Sequence, residues 1–159
     1  MVQSIMAKFY IAYGSNLNIA QMRIRCPHAR FIGVSELRNY RLAFKGHSHG
    51  AFLTIEHYEG GRVPVVVWAV SNGDIKMLNQ YEGYPDFYYT EEMEVPVDGR
   101  MLNAFVYIMA GKRHFGLPSD MYFETCLDGY KDFHLDENIL WDAYALSKEE
   151  CSMRKLPRR

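Results

Sequence analysis

An α+β domain is the fold this sequence predicts: a small, mixed but mostly antiparallel β-barrel flanked by helices. Three observations predict it. Runs of β-branched and aromatic residues recur along most of the chain, with glycine-bearing turn signals between several of them. Helical spacing is confined to stretches that follow capping residues. No linker, repeat or low-complexity tract divides the 159 residues, so one domain spanning 1–159 is the economical reading, with flexible tails expected at 1–7 and 152–159. At 48% hydrophobic and 14% aromatic, the chain has ample material for a buried core.

The first strand is placed at Lys8–Tyr13, an apolar and aromatic run. Gly14, Ser15, Asn16 and Leu17 then make a tight loop, and a short helix follows from Asn18 to Cys26, where Pro27 stops it. β-rich segments come next at Arg30–Leu37, Tyr40–Lys45 and Phe52–Tyr58, and Gly60-Gly61 reads as a hairpin turn into Val63–Val70. Ser71-Asn72-Gly73-Asp74 offers an N-cap with an acid at its third position; Ile75, Leu78 and Tyr81 follow at helical spacing, and that helix should end near Glu82-Gly83. Strands at Tyr88–Val95 and Met101–Met109 flank a second hairpin signal, Asp98-Gly99, which brings the sheet to six or seven strands. Ser119 can cap a helix carrying Tyr122, Phe123, Cys126 and Leu127, and Asp136 another carrying Ile139, Leu140, Ala143 and Tyr144. Strands this numerous and hairpin-joined favour curling into a barrel.

A balance of 18 basic and 19 acidic residues leaves a formal charge of -1, so no general field draws in nucleic acid or an anionic membrane, and small neutral or zwitterionic ligands fit better. The basic stretch Arg154–Arg159 reads as a solvated tail. Cys26, Cys126 and Cys151 are odd in number and form no Cys-x-x-Cys pair, which argues against a disulfide framework or zinc knuckle and for a reducing cytoplasm. Met1–Lys8 lacks the pattern of a signal peptide, and the longest strongly apolar run, Val63–Val70, is interrupted by Pro64 and too short to span a bilayer. No oligomeric state follows from the sequence.

Chemistry concentrates in few places. The loop at Gly14–Leu17 sits between a strand and a helix, where free backbone amides converge, so it is shaped to hold an anion; Gly14 allows close ligand approach or a positive φ, and Ser15, Asn16 and Asn18 can cap the helix. His47, His49 and His57 lack metal-ligand spacing, and no metal site is expected. Cys26 and Cys126 read as small buried hydrophobes, and Ser15 lacks the flanking glycines of a nucleophile elbow. In Tyr81-Glu82-Gly83-Tyr84-Pro85-Asp86-Phe87-Tyr88-Tyr89, one helix-end carboxylate stands among aromatic residues. Aromatic walls would desolvate Glu82 and raise its pKa toward neutrality, as an acid/base catalyst requires; the plain alternative is an exposed helix-end glutamate beside core tyrosines. Tyr107 could reach a ligand or close the edge of the core.

In order, Tyr13-Gly14-Ser15-Asn16-Leu17 after a first strand, Glu82-Gly83, Tyr89, Ala104-Phe105-Val106-Tyr107 and Pro118-Ser119-x-x-Tyr122 resemble the γ-glutamylcyclotransferase-like (AIG2-like) family. The resemblance implies a lyase or acyltransferase chemistry without metal or organic cofactor. A γ-glutamyl group closes on itself to 5-oxoproline, releasing an amine or amino acid. It places Glu82 as general acid/base, the turn at Tyr13, Gly14, Ser15, Asn16 and Leu17 as the cradle for carboxylate and oxyanion, and Tyr89 and Tyr107 as pocket-lining tyrosines. Glutathione-directed relatives carry a different residue after Gly-Ser, so Asn16 argues against glutathione as substrate. Two other readings remain at this point: a binding module that keeps the pocket without turnover, and amide hydrolysis with water as the nucleophile.

Overall fold

The computed structural model describes residues 7–154. Along the chain run β1 (Lys8–Ala12), a single 3₁₀ turn (Ser15–Leu17), α1 (Ile19–Arg25), β2 (Arg30–Lys45), β3 (Phe52–Val70), α2 (Asn72–Glu82), β4 (Tyr88–Val97), β5 (Arg100–Met109), α3 (Asp120–Asp132) and α4 (Glu137–Arg154). Five strands form one sheet in the order β2-β3-β1-β5-β4, antiparallel throughout except where β1 runs parallel to β5. The expected α+β class with a mostly antiparallel sheet is therefore what the chain adopts.

Two details differ from expectation. The sheet is open, with β2 and β4 as its edges and no ladder between them; they meet only locally, where the Ser35 hydroxyl donates to the Pro96 carbonyl. The strand count is also lower, because the β-rich segments on either side of Asn39, and again on either side of Gly60-Gly61, are continuous strands. β2 and β3 stay paired from Arg30↔Ala69 to Lys45↔Phe52, with an irregularity between Arg38 and Tyr40. There Asn39 and Gly60 both take positive φ (64° and 81°), and the Gly60 amide donates to Asn39 Oδ1 at 3.0 Å. A Cβ on Gly61 would lie 2.4 Å from the Tyr40 carbonyl oxygen, so the glycine pair lets two strands pass closely through a bulge and makes no hairpin turn.

The helices begin where capping chemistry puts them. Asn18 Oδ1 accepts from the Gln21 amide at 3.1 Å, Ser71 and Asp74 form a reciprocal capping box, Ser119 Oγ accepts from the Tyr122 amide at 3.1 Å, and Asp136 Oδ1 accepts from the Asn138 amide at 3.1 Å. Gly83, in the left-handed region at φ 65°, ends α2 directly after Glu82. At the C-terminus the expected tail overlaps α4, since Ser152–Arg154 continue that helix; residues 1–6 and 155–159 lie outside the described residues. The Asp98-Gly99 hairpin is present, pairing Val97 with Arg100 and counting out to Tyr88↔Met109.

One apolar cluster unites the sheet and the helices, with Ile11, Phe44, Val66, Leu78, Tyr130 and Leu140 fully enclosed. α4 is pinned to β2 by the Ser147 hydroxyl donating to the Phe44 carbonyl at 3.1 Å. Among the described residues no helix is long and apolar enough to cross a membrane. Because β1 is central, between β3 and β5, the turn that follows it emerges from the most constrained part of the sheet.

Candidate active site

The turn after β1 is held from four directions. Leu17 N donates to Gly14 O and Asn18 N to Ser15 O, both at 3.0 Å, which closes the 3₁₀ turn. Leu17 is fully buried, and enclosing a side chain of that size stabilises the fold by about 1.5–3 kcal/mol, so it acts as a plug that fixes the turn to the core. α3 packs directly on this plug: a Cβ on Gly129 would lie 2.6 Å from Leu17 Cβ and 2.8 Å from the Asn18 nitrogen. Asn18 Nδ2 donates to the Thr125 carbonyl at 3.1 Å and Trp68 Nε1 to the Asn16 carbonyl at 3.2 Å. Among the described residues, the amides of Ser15 and Asn16 find no protein acceptor. Gly14 takes φ -123°, so the positive φ is not adopted, and a Cβ added there would meet Tyr122 Oη at an ordinary contact distance of 3.4 Å.

Ser15 and Asn16 border a cavity of about 310 Å³. Glu82, the last residue of α2, stands in its wall together with Tyr10, Tyr13, Tyr88, Tyr107 and Tyr122. Protein crowds the Glu82 carboxylate while the cavity leaves part of it accessible, and it has no hydrogen-bond or ion-pair partner among the described residues. Burial pushes its pKa up from 4.5 to about 7, against the pull of the Arg25 charge. Burial likewise raises Tyr10, Tyr13, Tyr88, Tyr107 and Tyr122, so their phenols stay protonated at neutral pH. Such a cavity combines a carboxylate of near-neutral pKa, a turn with free amides and a wall rich in tyrosines, which suits proton transfer beside a developing oxyanion.

Residues 10–124 match the family described as "Gamma-glutamyl cyclotransferase, AIG2-like". The chain belongs to that family. The human protein named "Gamma-glutamylcyclotransferase" is 30% identical over 133 residues, covering 77% of this chain and 70% of its own length. Its mouse counterpart is 30% identical over 150 residues, covering 89% and 79% respectively. A solved structure named "Gamma-glutamyl cyclotransferase" superposes with a TM-score of 0.77 at 26% identity, covering 87% of both chains.

Of the residues singled out from sequence, the structure gathers Glu82, Tyr13, Gly14, Ser15, Asn16 and Tyr107 around this cavity. Leu17 lies beneath it as the plug, and Tyr89 lies elsewhere. Across the β4–β5 hairpin Tyr89 pairs with Ile108 and Thr90 with Tyr107. Successive strand residues point to opposite faces, so Tyr89 and Tyr107 cannot share one pocket. Tyr88 takes the place at the cavity that Tyr89 was expected to hold, its hydroxyl donating to the Leu53 carbonyl at 2.6 Å. Tyr13 is locked by donating to the Tyr107 carbonyl, also at 2.6 Å.

Sequence reasoning missed further residues. Tyr10 and Phe52 line the cavity, as does His47, whose ring stacks on Phe87 with centroids 5.7 Å apart. Arg25 stands behind the turn, donating to Ser15 Oγ at 3.1 Å and to Asn16 Oδ1, with its guanidinium 3.4 Å from the centroid of the Tyr81 ring. Tyr10 lies three residues before Tyr13, a spacing that strand alternation does not put on one face, and nothing local marks Arg25. The other histidines disperse, His57 stacking on Tyr40 and His49 bridging to Leu117. Cys26 and Cys126 are buried thiols whose pKa burial pushes up to about 12, as small hydrophobes and not nucleophiles.

Proposed function

We propose that this protein cyclises a γ-glutamyl group to 5-oxoproline and releases an amine or amino acid, with Glu82 as general acid/base. One observation carries the reading: an unpartnered carboxylate of near-neutral pKa faces a cavity bordered by Ser15 and Asn16, the residues with free amides in the turn after β1. Glu82 takes a proton from the substrate's α-ammonium. The freed amine attacks the γ-carbonyl carbon, forming the ring C–N bond; as the original amide C–N bond breaks, Glu82 returns the proton to the leaving nitrogen and takes the second proton of the ring nitrogen, which departs on the released amine as its ammonium form. The Ser15 and Asn16 amides meet the negative oxygen of the α-carboxylate or of the developing oxyanion, and removing one such donor typically lowers rate by about 10²–10³. Because closure is intramolecular, holding the glutamyl chain in its folded conformer supplies much of the remaining acceleration. All three cysteines are free thiols, which suits a reducing compartment such as the cytoplasm.

The test is a panel of γ-glutamyl amino acids and γ-glutamylamines incubated with wild type and Glu82→Gln, with 5-oxoproline and glutamate quantified by mass spectrometry. Lactam from wild type and its loss in Glu82→Gln is the expected result. Free glutamate in place of lactam marks hydrolysis, and calorimetric binding with no product marks a binding module. Undiminished lactam formation in Glu82→Gln would falsify the assigned base.

A further inference from the structure

The hydroxyl groups around the cavity differ in where their protons go. Tyr13 donates to the Tyr107 carbonyl, Tyr88 to the Leu53 carbonyl and Tyr107 to Asn79 Oδ1, each at 2.6 Å. Tyr10 is held the other way round, and so is Tyr122, which accepts from the Leu53 amide at 3.1 Å but has the Cys126 thiol beside its hydroxyl. Arg25 has donors only, so the face of the Asn16 amide turned toward it must be Oδ1. That choice turns Nδ2 toward Tyr10, and Nδ2 can only donate, which it does to the Tyr10 hydroxyl oxygen at 2.9 Å. A phenol has a single proton. With its oxygen occupied as an acceptor and no protein acceptor for its O–H among the described residues, Tyr10 is left with a proton to offer to the cavity it lines.

We propose that Tyr10 is a catalytic residue of the cyclisation, donating its hydroxyl hydrogen bond to the oxyanion that develops on the γ-carbonyl, and that Arg25 and Asn16 set this polarity as a relay. The proposal rests on the γ-glutamyl reading of the same cavity. No proton is transferred from Tyr10: it strengthens one hydrogen bond as negative charge grows on oxygen, and the proton of the reaction still travels through Glu82. Tyr10 and Glu82 line the same cavity, and after burial the Glu82 charge is the next influence raising the Tyr10 pKa, as it is for Tyr13 and Tyr107. Ser15 and Asn16 line that cavity too, and the Asn16 side chain reaches Tyr10 directly, so a side-chain donor stands beside the turn.

The experiment compares wild type, Tyr10→Phe, Asn16→Asp and the double variant, with kcat and KM for 5-oxoproline formation measured at about pH 9, where Glu82 is ionised. Tyr10→Phe should lower kcat by about 10²–10³-fold with KM within about twofold. Asn16→Asp is nearly isosteric and still faces Arg25, but a carboxylate must accept from the Tyr10 hydroxyl, which withdraws the proton from the cavity. Its kcat should therefore fall close to that of Tyr10→Phe, and the double variant should be no worse than about twofold below either. Circular dichroism melting checks that each variant folds. Unchanged kcat in Tyr10→Phe, a rise in KM alone, or a fully additive double variant overturns the assignment while leaving the cyclase reading intact. A wild type that forms no 5-oxoproline from any member of the panel overturns both.

Discussion

Two glutamates in this molecule face two cavities and have been pushed in opposite directions. Glu56 on β3 accepts from Arg41 Nε at 2.8 Å and Lys45 Nζ at 2.7 Å, beside a cavity of about 210 Å³ that Tyr89 also lines. Burial alone would raise its pKa, yet the hydrogen bonds and charges of Lys45 and Arg41 outweigh that and hold it below 4.5. Glu82 is the more deeply crowded of the two and has no such partners, so burial wins and carries it to about 7. A carboxylate held by two cations is satisfied, whereas one without partners in a cavity is a candidate for acid/base chemistry.

Replacing Glu82 by Gln separates the two cases most sharply. Loss of a positioned acid/base lowers kcat/KM for lactam formation by about 10²–10⁴-fold, read by mass spectrometry. Stability should move the other way. The folded protein holds the Glu82 proton more tightly than the unfolded chain does, so this carboxyl contributes stability below pH 4.5 that is lost as pH rises through 7. Glu82→Gln should therefore be more stable than wild type by about 1–3 kcal/mol at pH 8, with the gap closing near pH 4.5, in denaturant melts at the two pH values.

The wild-type pH profile is the next largest effect. A base with pKa about 7 must be ionised to work, so kcat/KM should fall about tenfold per pH unit below 7 and level off above it. A profile flat down to pH 5 would put Glu82 back among ordinary surface carboxylates.

The fold around the Glu82 cavity was legible in the sequence where the cause is local, whereas Glu56 carried no signal of its own. The Ser71–Asp74 capping box, the Asp98-Gly99 turn and the strand-to-turn run at Tyr13–Leu17 are each set by a few adjacent residues, and each is found in place. Gly60-Gly61 misled because positive φ and absent Cβ serve a bulge as well as a turn, and only the Tyr40 carbonyl on a neighbouring strand decides between them. The parallel β1–β5 pairing, which brings Tyr107 to the end of β1, has no local signature. Neither has Arg25, whose partners Ser15, Asn16 and Tyr81 converge only once α1 and α2 pack.

Removing the charge at the satisfied site should leave catalysis alone and weaken the fold. Glu56→Gln forfeits charge-assisted hydrogen bonds with two partly buried cations, for an expected loss of about 1–2 kcal/mol at pH 7 by denaturant unfolding. Glu56 binds its proton less readily folded than unfolded, so its contribution is present above pH 4.5 and disappears as pH falls below that value. The difference between variant and wild type should shrink accordingly in acid, the reverse of the Glu82 case, with kcat within about twofold.

The smallest effect is expected at Tyr89, and it tests whether the two cavities are functionally separate. Tyr89 is exposed and its hydroxyl donates to Glu91 Oε1 at 3.0 Å, a bond that water can replace. Its neighbour Tyr88 is buried and donates to the Leu53 carbonyl inside the wall of the Glu82 cavity, so one step along β4 exchanges a solvated groove for the candidate active site. Tyr89→Phe should change stability by less than about 0.5 kcal/mol and kcat/KM by less than about twofold. Tyr88→Phe leaves the Leu53 carbonyl unpaired and should cost about 1–3 kcal/mol, with a loss of activity as that wall relaxes. A Tyr89→Phe protein with the larger defect would mean that the strand register, and with it the assignment of faces, differs when substrate is bound.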